Sequence, residues 1–212
     1  IECEQGFFLT HGWDKKIPPR AIENLGTDFL FPEIKYKFHA CCHGLHSFLE
    51  ALDEMKLENN FNPETIEEIA IETNPSWLKV CNIEEPKTGL ESKFSYKLTA
   101  AMSIYGKDTS NLDTYSDEIC FDDNLNNIRD KVRVIPNDNL SNTQSLISIK
   151  DGSSNVKNKH DLSDKIENNI LETKIVNKSV SLLSETKSNQ ISKILNAPNE
   201  NKVDALVDCL VS

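Results

Sequence analysis

No stretch of this chain approaches the roughly 20 consecutive apolar residues that a membrane-spanning helix needs, so no membrane partner is expected. Basic residues are outnumbered: 23 Lys and Arg face 34 Asp and Glu, for a net charge of −11. That balance argues against nucleic acid as the main partner, because phosphate binding needs a basic face. Cysteine is thin as well, with six in 212 residues (Cys3, Cys41, Cys42, Cys81, Cys120 and Cys209) and no CxxC pair. These are too few for a disulfide scaffold, so reduced thiols and a cytoplasmic location are expected. Adjacent Cys41 and Cys42 are not expected to bridge each other. A starting methionine is lacking too. The opening IECEQGFFLTHGW begins at Ile1, gathers Phe7, Phe8, Leu9 and Trp13 without a capping start, and reads like the middle of a protein.

What is present is a patterned chain. Residues 1–30 are punctuated by Gly6, Gly12, Pro18, Pro19 and Gly26, and Pro19 followed by Ala21, Ile22 and Leu25 predicts a short helix. FPEIKYKFHA predicts an extended segment. From Leu45 the apolar period becomes 3.6, with Leu45, Phe48, Leu49, Leu52 and Met55 on one face, which predicts a helix ending near Asn59–Asn60. Ile69 and Ile71 alternate with smaller or polar neighbours as in a half-buried strand ended by Pro75. KFSYKLTAAMSIYG predicts a buried helix stopping at Gly106, and SDEICFDDNLNNIRD an acidic one. Lys131–Ile135 and Ser145–Ile149 alternate as strands, with a turn at Asp151–Gly152. Beyond residue 153 the chain is Asn-, Lys- and Ser-rich, yet Leu171, Ile175, Leu182 and Leu183 keep helical spacing. So do Ile191, Ile194 and Leu195, and, after Asn196-Ala-Pro198, Val203, Leu206, Val207 and Leu210. The class is α+β.

The densest chemistry lies in KFHACCHGLH, Lys37 to His46, with three of the chain's five histidines and two of its cysteines. Three readings compete. A structural zinc site wants four N or S ligands at spacings such as Cx₂C and Hx₃H. His39, Cys41, Cys42, His43 and His46 match no such spacing and lack a partner pair downstream, although His43 and His46 could share a helix face with Glu50 one turn further. Alternatively the stretch is core, since cysteine behaves as a small hydrophobe and a histidine can satisfy backbone groups. Third, lysine and histidines where a strand gives way to a helix can converge on an anion. A lysine there can bind a carboxylate or exchange a proton beside one. The residues alone leave these open.

KFHACCHGLHSFLEAL (Lys37–Leu52), taken with EPKTGLESKFSYKLTAA (Glu85–Ala101), resembles the MmgE/PrpD family. That family includes 2-methylcitrate dehydratase, cis-aconitate decarboxylase and iminodisuccinate epimerase. Its members open one helix with a K-x-[HY]-x-x-C-x-x-x-H-like segment and another with a TGLEAKFS-like loop. ECEQGFF, YSDEI and KVRVI extend the likeness along the chain. The resemblance implies a lid-type α+β domain (31–155) between the end of a helical domain (1–30) and helices that return to it (156–212). The all-helical domain itself would be absent, because family members are about twice this length.

The chemistry implied is cofactor-free: proton abstraction next to a carboxylate, then loss of water or CO₂, or reprotonation on the other face. A 2-methylcitrate dehydratase-like lyase acting on a small di- or tricarboxylate is expected. A non-catalytic lid module, an epimerase or isomerase, and a decarboxylase are the alternatives. On this template Lys37 is the active-site lysine, His39 and His46 line the same wall, and Lys93 binds a substrate carboxylate. His43 is assigned to packing or solvent, the cysteines to core filling, and no metal is expected. The aromatic hydroxyl that decarboxylases use falls near Trp77–Leu78, where there is no tyrosine. A homodimer that needs the N-terminal helical half is implied, and Phe7, Phe8, Trp13, Leu182 and Leu183 are the apolar residues expected to be left uncovered without it.

Overall fold

The structure, a computed structural model, describes residues 24, 26–29, 34–198 and 202–211. The helix expected after Pro19 and the apolar residues Phe7, Phe8 and Trp13 lie outside the described residues. The chain divides into two units, Ile1–Tyr36 and Lys37–Ser212, and the fold below is that of the second.

A 3₁₀ turn, His43–Leu45, leads into helix α1, His46–Glu58. Strand β1 follows, Ile66–Thr73, then the one-turn helices α2, Pro75–Leu78, and α3, Gly89–Ser92. Helix α4 covers Tyr96–Ile104 and α5 covers Asp123–Arg129, after a 3₁₀ turn at Glu118–Phe121. Strands β2, Val132–Pro136, β3, Gln144–Asp151, and β4, Ser154–Asp161, complete the sheet. Helices α6, Asn168–Leu183, α7, Glu185–Asn196, and α8, Lys202–Val211, end the chain.

The sheet has the order β2-β1-β3-β4. β1 runs parallel to β2 and antiparallel to β3, and β3 and β4 form a hairpin. A parallel pair needs a long crossover, which α2 to α5 provide. β1 and β3 bury alternate residues, placing Ile69, Ile71, Ile147 and Ile149 in the core. α1 lies across β3 and β4, while α4 meets α1, α5 and β2. Phe48, Leu49 and Leu52 from α1 and Leu98 and Met102 from α4 fill the space between helices and sheet. The fold is α+β, as the pattern predicts.

Several boundaries differ from the expected ones for local reasons. The helix expected from Lys93 starts at Tyr96, because the Ser95 side chain caps it by accepting from the Leu98 N–H. The acidic helix is split, because the Asp122 side chain accepts from the N–H groups of Asn124 and Leu125 and restarts it. β4 continues to Asp161, where helical spacing is expected. Its residues are polar because it is an edge strand, and only Val156 packs on the core. Gly152, at φ +57, makes the turn into it.

The Tyr96 hydroxyl ties these pieces together out of water's reach. It donates to the Gly44 carbonyl at 2.8 Å and lies 3.1 Å from the Thr73 hydroxyl, joining the start of α1, the end of β1 and α4. Among the apolar side chains left exposed are Leu182 and Leu183 on α6 and Val203, Val207 and Leu210 on α8. Among the described residues no helix is long and apolar enough to cross a membrane.

Gly89, inside the TGLESKFS loop, packs where a Cβ would lie 2.1 Å from the Tyr115 carbonyl oxygen. Backbone cannot yield as a flexible side chain does. Gly89→Ala is therefore expected to lower the unfolding free energy by about 1–3 kcal/mol, as overpacking does, in urea titrations. An unchanged midpoint would contradict this packing.

Candidate active site

The two sequence motifs meet through the backbone. Cys42 N–H donates to the Lys93 carbonyl at 2.9 Å, and Ala40 N–H donates to the Thr109 carbonyl at 2.8 Å. The segment before α1 is thus pinned between the α3–α4 loop and the loop after α4. A cleft of about 380 Å³ opens there, lined by Lys37, His39, Cys42, Lys93 and Lys178 together with apolar neighbours. No Asp or Glu lines it. In a chain of net charge −11, three lysines around one acid-free cleft concentrate positive charge at one place.

Of the four residues singled out in the sequence, Lys37, His39 and Lys93 line this cleft, and His46 does not. Lys37 is exposed, while Lys93 is half-buried, with its ammonium 5.6 Å from the centre of the Tyr115 ring. Lys178, on α6, is the third cation; its ammonium also reaches the Ser110 carbonyl at 2.5 Å. Burial lowers its pKa, with Asp108 opposing.

His46 is buried behind the wall, 1% exposed, with Nδ1 donating to the Cys42 carbonyl at 3.1 Å and Nε2 unpartnered. Burial, with the neighbouring His39, brings its pKa down to about 3, so it is neutral at physiological pH. Its role toward the cleft is to hold the Cys42 backbone. His43 is half-buried, with its ring 5.3 Å from His46 and 6.3 Å from Trp77. Packing is its role.

The sequence treated the two cysteines alike, and the structure separates them. Cys41 is core, and burial pushes its thiol up to about 12. Cys42 is half-buried on the cleft wall. Its thiol is lowered to about 6, first by the hydrogen bond with Cys81 and further by backbone N–H groups and Lys37, against the opposing effect of burial. The position of Cys42, just before a helical start, was the one signal in the sequence. Among the described residues no three His, Cys, Asp or Glu side chains converge to hold a metal ion, and Cys41, Cys42, Cys81 and Cys120 form no disulfide.

Deeper in the wall, His39 is 5% exposed; its Nδ1 lies 2.8 Å from the Thr109 hydroxyl and its Nε2 3.3 Å from Glu50 Oε1. Glu50, also 5% exposed, is ion-paired to Lys174 of α6. Burial alone would raise the Glu50 pKa. His39 and Lys174 outweigh it and bring the carboxyl down to about 2. The charge is tolerated because it is paired on two sides.

These features define an α+β domain with a lysine-lined cleft at the start of its first long helix. The chain belongs to the MmgE/PrpD family: the family's C-terminal domain matches residues 39–197, a span that contains His39, His46 and Lys93 and begins two residues after Lys37. The family is one of lyase- and dehydratase-type enzymes. A search of curated proteins finds no match.

Two predictions follow from the wall's electrostatics. Iodoacetamide at pH 7 is expected to modify Cys42 well before Cys41, with the Cys42 rate falling as pH drops through about 6. Peptide mass spectrometry checks this; equal labelling of the two would contradict it. In addition, His46 and Glu50 both have folded pKa values below their unfolded ones. Each therefore stabilises the fold above its unfolded value and loses that contribution as pH falls, from 6.5 to about 3 for His46 and from 4.5 to about 2 for Glu50. Unfolding free energy should drop by on the order of a few kcal/mol between pH 7 and 4. His46→Asn should flatten that slope in urea titrations, and an unaltered slope would count against a buried neutral imidazole.

Proposed function

We propose that this chain forms the lid side of the active site of a cofactor-independent carbon–oxygen lyase. Its substrate would be a small di- or tricarboxylate of the 2-methylcitrate kind. The observation that carries this reading is the acid-free cleft where Lys37, Lys93 and Lys178 meet. Three ammonium groups can hold two or more carboxylates of one small molecule, and about 380 Å³ is metabolite-sized. Charge-assisted bonds from lysine to carboxylate orient the substrate so that the proton beside a carboxylate can be removed, and water then leaves from the neighbouring carbon. Lys37, exposed at the cleft rim, is the lysine we assign to the reacting carboxylate, with His39 and Lys93 lining the pocket; His46 supports the wall from behind.

Dehydration is favoured over decarboxylation by the residue at the position where the resemblance expects a phenol. That position falls near Trp77–Leu78, neither of them a tyrosine, and the Trp77 indole N–H is already engaged, donating to the Asn142 carbonyl at 2.7 Å. The exposed apolar side chains of α6 and α8 support a partner of helical character, the family's N-terminal half, and a homodimer built through it. In that reading the complete enzyme is cytoplasmic, and the lid alone binds without turning over.

Isothermal titration of the chain with 2-methylcitrate tests the cleft. Lys37→Ala and Lys93→Ala should each weaken binding by about 10- to 100-fold, the worth of one charge-assisted contact of 1.5–3 kcal/mol. Binding undiminished in both variants would refute the assignment. Mass spectrometry of products from an enzyme carrying both halves distinguishes loss of water from loss of CO₂ or epimerisation.

A further inference from the structure

Cys42 and Cys81 come from separate elements, yet their thiols share a hydrogen bond. Cys42 is half-buried on the wall of the lysine cleft, whereas Cys81 is wholly buried. Gly44 is what lets them meet. A Cβ at that position would lie 2.7 Å from the Cys81 sulfur and 2.5 Å from the Trp77 ring, so only a residue without a side chain allows the end of α2 to close on the turn that carries Cys42. Both backbones are fixed. Cys42 N–H donates to the Lys93 carbonyl, and its own carbonyl accepts from the Leu45 N–H at 3.0 Å. Cys81 N–H donates to the Trp77 carbonyl at 2.9 Å, and its sulfur lies 3.5 Å from the same oxygen.

Core filling does not account for this pair. A buried cysteine that only packs is a neutral thiol without access to solvent, and Cys41 is of that kind, with its thiol pushed up to about 12 by burial. Cys42 is the opposite: reachable from the cleft and lowered to about 6. The bond that lowers it raises Cys81, and burial raises Cys81 further, so the inner sulfur keeps its proton and the outer one gives its proton up. An accessible thiolate with a second thiol held against it is the arrangement that reactive cysteine chemistry uses. The lyase reading gives neither sulfur a task.

We propose that Cys42 and Cys81 form a peroxide-reactive pair, in which Cys42 on the cleft wall takes the oxidant and Cys81 then closes a disulfide with it. The pair stands apart from the lyase reading and does not rest on it. In the first step an electron pair on the Cys42 sulfur attacks one oxygen of hydrogen peroxide. The S–O bond forms, the O–O bond breaks, and the departing hydroxide takes from solvent the equivalent of the proton that Cys42 had released. In the second, the Cys81 sulfur attacks the sulfur of the Cys42 sulfenic acid. The S–S bond forms, the S–O bond breaks, and hydroxide leaves as water with the Cys81 proton. Two thiols lose two electrons and two protons, and one peroxide becomes two waters. Closing the sulfurs to about 2.05 Å ties the turn before α1 to the segment after α2 and removes the ionised thiol from among the cleft lysines.

The test treats the reduced 212-residue chain with hydrogen peroxide at pH 7, blocks remaining thiols with N-ethylmaleimide, and maps the peptides by mass spectrometry without reduction. The expected product is a Cys42–Cys81 cross-linked peptide that dithiothreitol removes. With dimedone present to trap sulfenic acid, Cys81→Ala should accumulate several-fold more adduct on Cys42 than the native chain, because nothing resolves the intermediate. Cys42→Ser should give no cross-link and leave Cys81 reduced. The mapping of the native chain needs no substitution, so it decides the matter even where a variant fails to fold. Cys42 left unoxidised, Cys42 carried on to sulfinic acid without a link to Cys81, or Cys42 joined to a different cysteine would each overturn the pair.

Discussion

A carboxylate without water must be answered by positive charge or hydrogen-bond donors, and Glu50 imposes that condition on this fold. Removing an ionised carboxyl from solvent costs far more than marginal stability allows unless the charge is paired. Its two partners come from different parts of the chain: His39 from the segment before α1, and Lys174 from α6, over a hundred residues later. Satisfying one buried charge therefore draws the first motif and a C-terminal helix to the same place. Lys178, one turn beyond Lys174 on α6, is carried by that geometry to the cleft.

The second constraint is backbone pairing. Cys42 N–H on the Lys93 carbonyl makes the two motifs neighbours although about fifty residues separate them. The Tyr96 hydroxyl, buried between Gly44 and Thr73, locks the same two regions to β1. Buried polar groups of this kind are costly unless satisfied, and here the hydroxyl finds its partners on both neighbouring elements. Cys41, Leu45, Phe48 and Leu49 turn inward from that same stretch and supply the apolar anchor.

Much of this was legible in the residues. The 3.6 period from Leu45 to Met55 and the alternation around Ile69 and Ile71 are signals of one-sided burial, and both elements formed. β4 was hidden because an edge strand can be polar almost throughout, and SNVKNKHD offers only Val156 to the core. The split in the acidic helix turned on one side chain, Asp122, choosing local N–H groups. Around the cleft, Lys37, His39 and Lys93 are the lining residues that the motifs had already singled out. Lys174, Lys178 and Thr109 were not singled out, because they come from distant segments brought in by packing. The resemblance put His46 on the wall, yet it is buried behind it, and of the two cysteines that line the cleft Cys42 is the more exposed. No period-based argument separates two adjacent cysteines.

The central claim is that one cleft, bounded by Lys37, Cys42, Lys93 and Lys178, receives a small polycarboxylate. Protection of Cys42 tests it most directly, because Cys42 lines that cleft and is only half-buried. The iodoacetamide rate at Cys42 would be followed as 2-methylcitrate is added, with half-buried Cys209, which does not line the cleft, as the control. The account predicts a saturable fall in the Cys42 rate and no change at Cys209. An unchanged Cys42 rate at high ligand concentration would contradict it.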